Sequence, residues 1–337
     1  MKNLRCTALL ASTAVSALGL MASTTLASVV TTPTMNGTTL GNALLSPSAA
    51  GIQIDAVTIH QGVSGQFGTY SNFSLQPVTI SNGIVLSSGK VNNLGPIPGA
   101  SLPGYDPASP PAQVNSQMTF VGSGGTTEFD NYGLGNITNF YACYDVAAIQ
   151  VDFNLDEDAQ VQFDFIFGSV EFPYWTGQFT DAFLVFLDGF DDGTQISFDA
   201  SGNPIQVGSS FAGWETTADK NTAFSNPHGV IHHLTTTTEQ LNAGNHTLWF
   251  EVGDVNDHIL DSAVFIANLR TGVGTPGTEP TDECEADFTG DGVVDAADLA
   301  VLLGDWGQVS TDDLDHVGVI DGSDLAILLG AWGDCPV

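Results

Sequence analysis

A mainly β fold is what this sequence predicts: a large β-sandwich or jelly-roll-like domain, then a small α-helical module. Three observations predict it. Period-two runs of Val, Ile and Phe recur between residues 147 and 269. No helical period of useful length precedes residue 290. After residue 284 a tandem repeat with a spacing of 26 residues ends each copy in an amphipathic helical pattern.

The chain opens with Lys2 and Arg5, a short apolar run from Ala8 to Ala22, and the small-x-small triplet Thr25-Leu26-Ala27. That order is the pattern of a secretory signal over residues 1–27, of the bacterial export kind, with the mature chain beginning near Ser28. The run falls short of the roughly 18–20 apolar residues of a membrane span and carries Ser, Thr and Gly, so a membrane anchor is the weaker reading. No later segment is long and apolar enough to predict a transmembrane segment in the mature chain.

Charge narrows the partners. The 337 residues include 38 acidic and 5 basic side chains, a formal charge of −33. Beyond the leader the cations are Lys90, Lys220 and Arg270. Nucleic acid and anionic lipid both need clustered Lys and Arg, which this chain lacks. Twenty Phe residues set among β-formers exclude a disordered polyacid. Such a surface suits divalent cations or a salty medium, where screening relieves self-repulsion.

The elements follow in order. Ala147 to Phe153, Gln160 to Phe167, Thr247 to Val252 and Ala263 to Leu269 alternate as strands with one face on a core. Asp191-Asp-Gly193 and Asn242-Ala-Gly244-Asn245 are turns between them. The Gly/Ser/Pro-rich stretches Leu94 to Ala112 and Val121 to Gly135 are expected to be surface loops. Residues 28–270 thus form the large domain, and 271–283, rich in Gly, Thr and Pro, a linker. Residues 284–337 form the helical module. Cys284 and Cys335 bracket it and are expected to form a disulfide, leaving Cys143 as a buried thiol.

The first repeat runs Asp287-Phe-Thr289-Gly-Asp291-Gly292-Val293-Val294-Asp295-Ala-Ala-Asp298. This is the spacing of an EF-hand-type calcium loop, with side-chain oxygens at positions 1, 3, 5, 9 and 12, a glycine at 6 and a backbone carbonyl at 7. The ligands would be Asp287, Thr289, Asp291, the Val293 carbonyl, Asp295 and Asp298. A hard, all-oxygen set selects Ca²⁺ over zinc or copper. The second copy offers Asp313, Asp315, the Val319 carbonyl, Asp321 and Asp324. Val317 stands where its position-5 oxygen belongs, so this copy would hold calcium more weakly or with an extra water. Each loop leads into a helix, Leu299-Ala-Val-Leu302-Leu303-Gly-Asp-Trp306 and Leu325-Ala-Ile-Leu328-Leu329-Gly-Ala-Trp332. Leu, Leu, Leu and Trp are expected to line one face of each, and the two faces to pack together.

The tandem loops, their helices and the flanking cysteines resemble a dockerin type I module over about residues 284–335. That resemblance implies a calcium-dependent attachment to a cohesin-like or cell-surface protein, in a setting of polysaccharide degradation. Residues 42–270 resemble the choice-of-anchor L family. The matching pieces are Asn42-Ala-Leu44-Leu45, Gly83 to Gly89, Asp145-Val-Ala-Ala-Ile149-Gln-Val-Asp-Phe153, Phe165 to Pro173 with Asp181-Ala-Phe183, and Asp254-Val-Asn256-Asp257 with Asp261 to Phe265. This implies export and a β-rich fold joined to an anchoring signal, and assigns no reaction.

Glu171, Asp181, Asp254, Asp257 and Asp261 fall within those motifs and have two readings. Their carboxylates meet at one edge of the sheets as a second calcium or sugar site, or they cap turns and bond backbone N–H groups, the commoner use of Asp before a strand. Two functions follow. The first is a secreted or cell-surface, non-enzymatic β-sandwich attached through a calcium-dependent module. The second is a carbohydrate-active protein, glycan-binding or hydrolytic, with Glu171 and Asp181 as the carboxyl pair that glycoside hydrolysis requires.

Overall fold

The computed structural model describes residues 29–73, 80–94, 121–172, 178–199, 201–207, 215–216, 229–230, 234–272, 286–289, 293–308, 314 and 319–334. The predicted leader, most of the linker, Cys284 and Cys335 lie outside them.

In chain order the first half contains β1 (Val30–Pro33), α1 (Gly37–Leu44), β2 (Ile52–Gln61), β3 (Phe67–Ser71), β4 (Asn82–Ser87), α2 (Thr127–Asn136), β5 (Cys143–Leu155), β6 (Val161–Ser169) and β7 (Ala182–Leu187). Then come β8 (Ile205–Gln206), β9 (Glu215–Thr216), β10 (Gly229–Val230), β11 (Leu234–Thr237), β12 (Gly244–Val255) and β13 (Ser262–Thr271). The tail holds β14 (Val293–Val294), α3 (Ala296–Gly304), α4 (Gly322–Gly330) and β15 (Gly333–Asp334).

The chain is mainly β, in two large antiparallel sheets. One has the order β1-β3-β4-β13-β6-β10-β9, with β11 also paired to β6; the other runs β2-β5-β12-β7-β8. Their inner faces meet through phenylalanines. Phe163 of β6 meets Phe250 of β12 edge-on at 4.9 Å, and Phe165 meets Phe183 of β7 at 5.1 Å. Ile149, Val151 and Phe153 complete this layer from β5. Phe250→Ala is expected to cost about 3–5 kcal/mol of stability, read as a lower urea midpoint with an unchanged slope.

The four predicted strands are found, but alternation understates their burial. Every residue of β6 is buried, not one face only. A second apolar layer (Tyr70, Phe73, Val85, Ile166 and Phe265) covers the outside of the first sheet. A third, with Phe129 and Tyr132 of α2 over Val146, Ala148 and Leu184, covers the outside of the second.

Among the described residues two α-helices precede residue 290, contrary to expectation. The stretch Val121 to Gly135, expected to be a loop, contains most of α2. Both helices are held by caps and packing, not by propensity. The Asn36 side chain accepts the Thr39 N–H and the Thr126 hydroxyl accepts the Phe129 N–H. Gly133, a residue that argues against a helix in isolation, is required by packing: a Cβ there would sit 2.4 Å from the Phe140 ring. Among the described residues no helix is long and apolar enough to cross a membrane. Cys143 is buried with a free thiol, which burial, then Asp130, pushes up.

The tail packs around its own small cluster: Ala286, Val294, Leu302, Leu314, Ile320 and Leu328. Here the expected four-residue face is corrected. Leu302 and Leu328 are buried and Leu299 and Leu325 half-buried, whereas Leu303, Trp306, Leu329 and Trp332 point to solvent. Helices of nine residues turn a narrow stripe onto so small a core, and the i+4 and i+7 positions rotate out of it.

Candidate functional site

Five strand ends converge at one end of the two sheets. Asp181 sits just before β7, Asp254 ends β12 and Asp261 precedes β13. Ser88 follows β4 and Glu171 follows β6. Where β5 pairs with β12, Val252 faces Ala147 and Asp254 faces Tyr144, so Asp145 and Val146 bulge opposite Gly253. Asp145 takes a left-handed backbone there, φ +47°. A bulge re-aims side chains at a sheet end, and here it adds Asp145 to the carboxylates.

Glu171, Asp181, Asp254, Asp261 and Asp145 are all fully buried. The packing is tight enough that a Cβ on Gly89 would stand 1.7 Å from Asp261 Oδ2. The two readings of these acids divide between residues. Asp181 bonds backbone and hydroxyl: its Oδ1 accepts the Val255 N–H at 2.9 Å and its Oδ2 the Ser262 hydroxyl at 2.7 Å. It thereby ties the second sheet to the first. Asp257, half-buried, accepts the Ile259 N–H at 3.0 Å as a turn residue does. Glu171 and Asp254 behave differently. Both oxygens of each, and Asp145 Oδ1, are buried without a hydrogen bond of normal geometry from a described residue.

No described Lys or Arg pairs with Glu171, Asp181 or Asp254; Arg270 is committed to Asp164 at 3.1 Å. Carboxylates buried together without a counter-charge must take up protons or a cation. Burial, then the neighbouring Asp181 and Asp254, pushes Glu171 up to about 12. Burial raises Asp181 to about 7 against the opposing bonds from Ser262 and Val255. Asp254 is held well above the carboxylate range by burial, then by Asp181 and Asp261, against a weaker opposing contribution from the Ser88 hydroxyl.

Asp145 is the member that sequence reasoning missed. Its signal was present as the first residue of a strand motif, but nothing in an alternating pattern marks a bulge. For the hydrolytic reading, neither Glu171 nor Asp181 is exposed to a sugar in this fold. Tyr174 and Trp175 lie outside the described residues.

The tail loops are the other candidate. Asp298 Oδ1 accepts the Thr289 N–H at 3.0 Å and its Oδ2 the Asp295 N–H at 2.8 Å. The Thr289 hydroxyl bonds Asp287 Oδ1 at 3.2 Å, so loop positions 1, 3 and 12 converge. In copy two Asp324 accepts the N–H groups of Leu314 and Asp321 at 2.8 and 2.7 Å. Asp295 and Asp321 also cap α3 and α4, each in a reciprocal capping box with the Asp three residues on. Burial raises the Asp298 carboxyl, but the N–H groups of Asp295 and Thr289 hold it below the ordinary range. Asp291, Asp313, Asp315 and Val317 lie outside the described residues; Val293 opens β14, and Val319 is exposed.

Residues 29–269 match the model of the choice-of-anchor L domain. No curated protein matches the chain. A solved structure of a non-crystalline cellulose-specific carbohydrate-binding module aligns over 69% of this chain and 94% of its own, at 12% identity and a TM-score of 0.25. At that score the likeness carries no argument.

Proposed function

We propose, because the chain belongs to the choice-of-anchor L domain family, that it is an exported, non-enzymatic surface protein. Residues 28–270 form its β head, and residues 284–337 attach it, through a calcium-dependent dockerin-like module, to a cohesin-type or other cell-surface protein. The family name supports the first half, since such domains are joined to varied anchoring signals. The tail supports the second.

One observation carries the attachment reading: two equivalent helices present the same Leu-Trp pair outward. Leu303 and Trp306 are 50% and 45% exposed, Leu329 and Trp332 52% and 48%. Apolar side chains exposed in a matched pair on a small module are what a partner surface covers. The donor set of the loops fits calcium, being all oxygen, with Asp287, Thr289 and Asp298 already drawn together. Asp295 and Asp298 would hold the ion beside the helix start they cap. Calcium supplies the positive charge that lets these acids approach, coupling binding to folding.

The acidic end of the β head is proposed as a second calcium site. Glu171 and Asp254 would be its direct ligands, with Asp145 and Asp261 beside them and Asp181 as the brace between sheets. Its role is structural, closing the end where both sheets meet.

The test is a binding measurement on the full chain against cell-envelope protein and an isolated cohesin domain, each with and without Ca²⁺. Trp306→Ala with Trp332→Ala is expected to lower capture at least tenfold while calcium uptake stays unchanged. Capture that survives both substitutions, or proceeds equally in EGTA, refutes the attachment reading.

A further inference from the structure

The face of the second sheet beneath α2 carries a group of ligand-type side chains with a different chemistry. Ile59 of β2 pairs with Ile149 and Gln61 with Ala148, so His60 is the extra residue of a bulge. On the other side of β5, Glu251 of β12 also pairs with Ala148. The small Ala148 side chain between them leaves room for His60 and Glu251 to approach over it. Glu128, in the first turn of α2, comes from above. One ligand atom from each of His60, Glu128 and Glu251 lies within 4.8 Å of the other two.

The decisive member is Glu251. It is fully buried. Its Oε2 accepts the Thr126 hydroxyl at 2.7 Å, while its buried Oε1 receives no N–H or hydroxyl from a described residue, and burial, then the neighbouring Glu128 carboxyl, raises Glu251 well above the carboxylate range. Thr126 thus holds one oxygen and leaves the other directed at the group, the outer-shell arrangement that orients a ligating carboxylate. His60 Nε2 contacts Glu128 Oε1, and Phe190 stacks on the imidazole at 5.9 Å. The His60 side chain is 31% exposed, which leaves one side of the group open to water.

We propose that His60, Glu128 and Glu251 bind a first-row divalent transition cation of the zinc class, with three protein ligands and an open position toward solvent. One imidazole and two carboxylates suit Zn²⁺ and not Ca²⁺, which takes oxygen alone. Ligand atoms around such an ion stand about 3–3.5 Å apart, so a small side-chain adjustment closes the set. The ion would pin α2 onto the sheet by joining β2, α2 and β12. The rival is a proton shared between Glu128 and Glu251.

The experiment titrates the metal-stripped full chain with Zn²⁺ by calorimetry, in excess Ca²⁺ to saturate all-oxygen sites. A zinc site is expected in the wild type. His60→Ala and Glu251→Gln are each expected to weaken it by more than the about 10–100-fold that an outer-shell change costs. Zinc should raise the melting temperature of the wild type and leave that of His60→Ala unmoved. Co²⁺ should give a visible absorption band that His60→Ala lacks. His60→Ala removes a partly exposed side chain, so it keeps the test independent of any folding defect in Glu251→Gln. No zinc uptake by the wild type, or equal uptake by both variants, overturns the proposal in favour of the shared proton. Zinc uptake by the wild type that appears only when Ca²⁺ is left out of the titration overturns the metal class.

Discussion

Without calcium, Asp254→Asn is expected to raise the melting temperature of the β head at pH 7, and Asp181→Ala to lower it at pH 4. The two residues are neighbours, yet their environments set opposite signs. Both Asp254 oxygens are buried without a normal hydrogen bond from a described residue, beside Asp181 and Asp261. At pH 7 folding must keep this carboxyl protonated, and an amide of the same shape removes that cost. Asp181 spends both oxygens on Val255 and Ser262. Its loss leaves a buried N–H and a buried hydroxyl without their acceptor, and near pH 4, where the raised carboxyl costs the fold little, about 3 kcal/mol or more is expected to go with them.

The pH dependence has a definite sign. Asp181 rises from an ordinary 3.8 to about 7 on folding, and Glu171 from 4.5 to about 12. A carboxyl raised by folding contributes stability that is complete below its unfolded value and is lost as pH rises through its folded value. The calcium-free head should therefore weaken steadily from about pH 4 to pH 7, by roughly 4 kcal/mol from Asp181 alone. At the proposed site calcium would replace the protons, so its stabilising effect should be larger at pH 7 than at pH 5, and absent from Asp254→Asn. Calorimetry over that range, with hydrogen exchange of β12 to isolate the head from the tail, measures both. A calcium-free melting temperature that rises between pH 4 and 7, or an Asp254→Asn variant that still responds to calcium through β12, eliminates the acidic site.

How much of this was legible in the sequence differs by element. The strand runs of β5, β6, β12 and β13 were readable because β-branched and aromatic residues recur at period two. The two early helices were not. Their caps, Asn36 and Thr126, are common turn residues, and Gly133 weakens a helical reading although the Phe140 ring demands it. The acids at the sheet end were legible as a set, since Glu171, Asp181, Asp254 and Asp261 stand in short dense motifs, two at strand starts and two at strand ends. Which of them are braces and which carry unpartnered oxygens depends on the pairing of strands far apart in sequence, and no local pattern records that. His60, Glu128 and Glu251 left no trace at all, being joined only by the register of β2, β5 and β12 and by the seat of α2. In the tail, the repeat fixed loop and helix positions well, but a periodic stripe does not say how much of it a core of six residues can cover.

That narrow core makes the tail the part of the chain most dependent on its loops. Excess EGTA is expected to abolish amide protection of α3 and α4 in the full chain, while β6 and β12 in the head stay folded. Nine-residue helices are below the length at which isolated helices persist in water. Leu302 and Leu328 are the fully buried side chains that α3 and α4 supply to their cluster, beside two half-buried leucines. What remains is loop closure. Asp298 and Asp324 each gather two N–H groups from the loop before their helix. Asp287 and Asp298 are both drawn onto Thr289, and repulsion between their carboxylates opposes that closure unless the proposed divalent ion relieves it. Asp298→Ala removes a proposed loop ligand and a capping box in one step. It should unfold α3 even in millimolar calcium, where the caps alone are worth about 1–2 kcal/mol. Asp298→Asn keeps a carbonyl acceptor for the Thr289 and Asp295 N–H groups, so it should retain part of the capping and lose the calcium response. Hydrogen exchange followed by mass spectrometry separates these outcomes helix by helix. Equal protection of α3 with and without EGTA would show that apolar packing holds the module, and the attachment role built on calcium would fall with it.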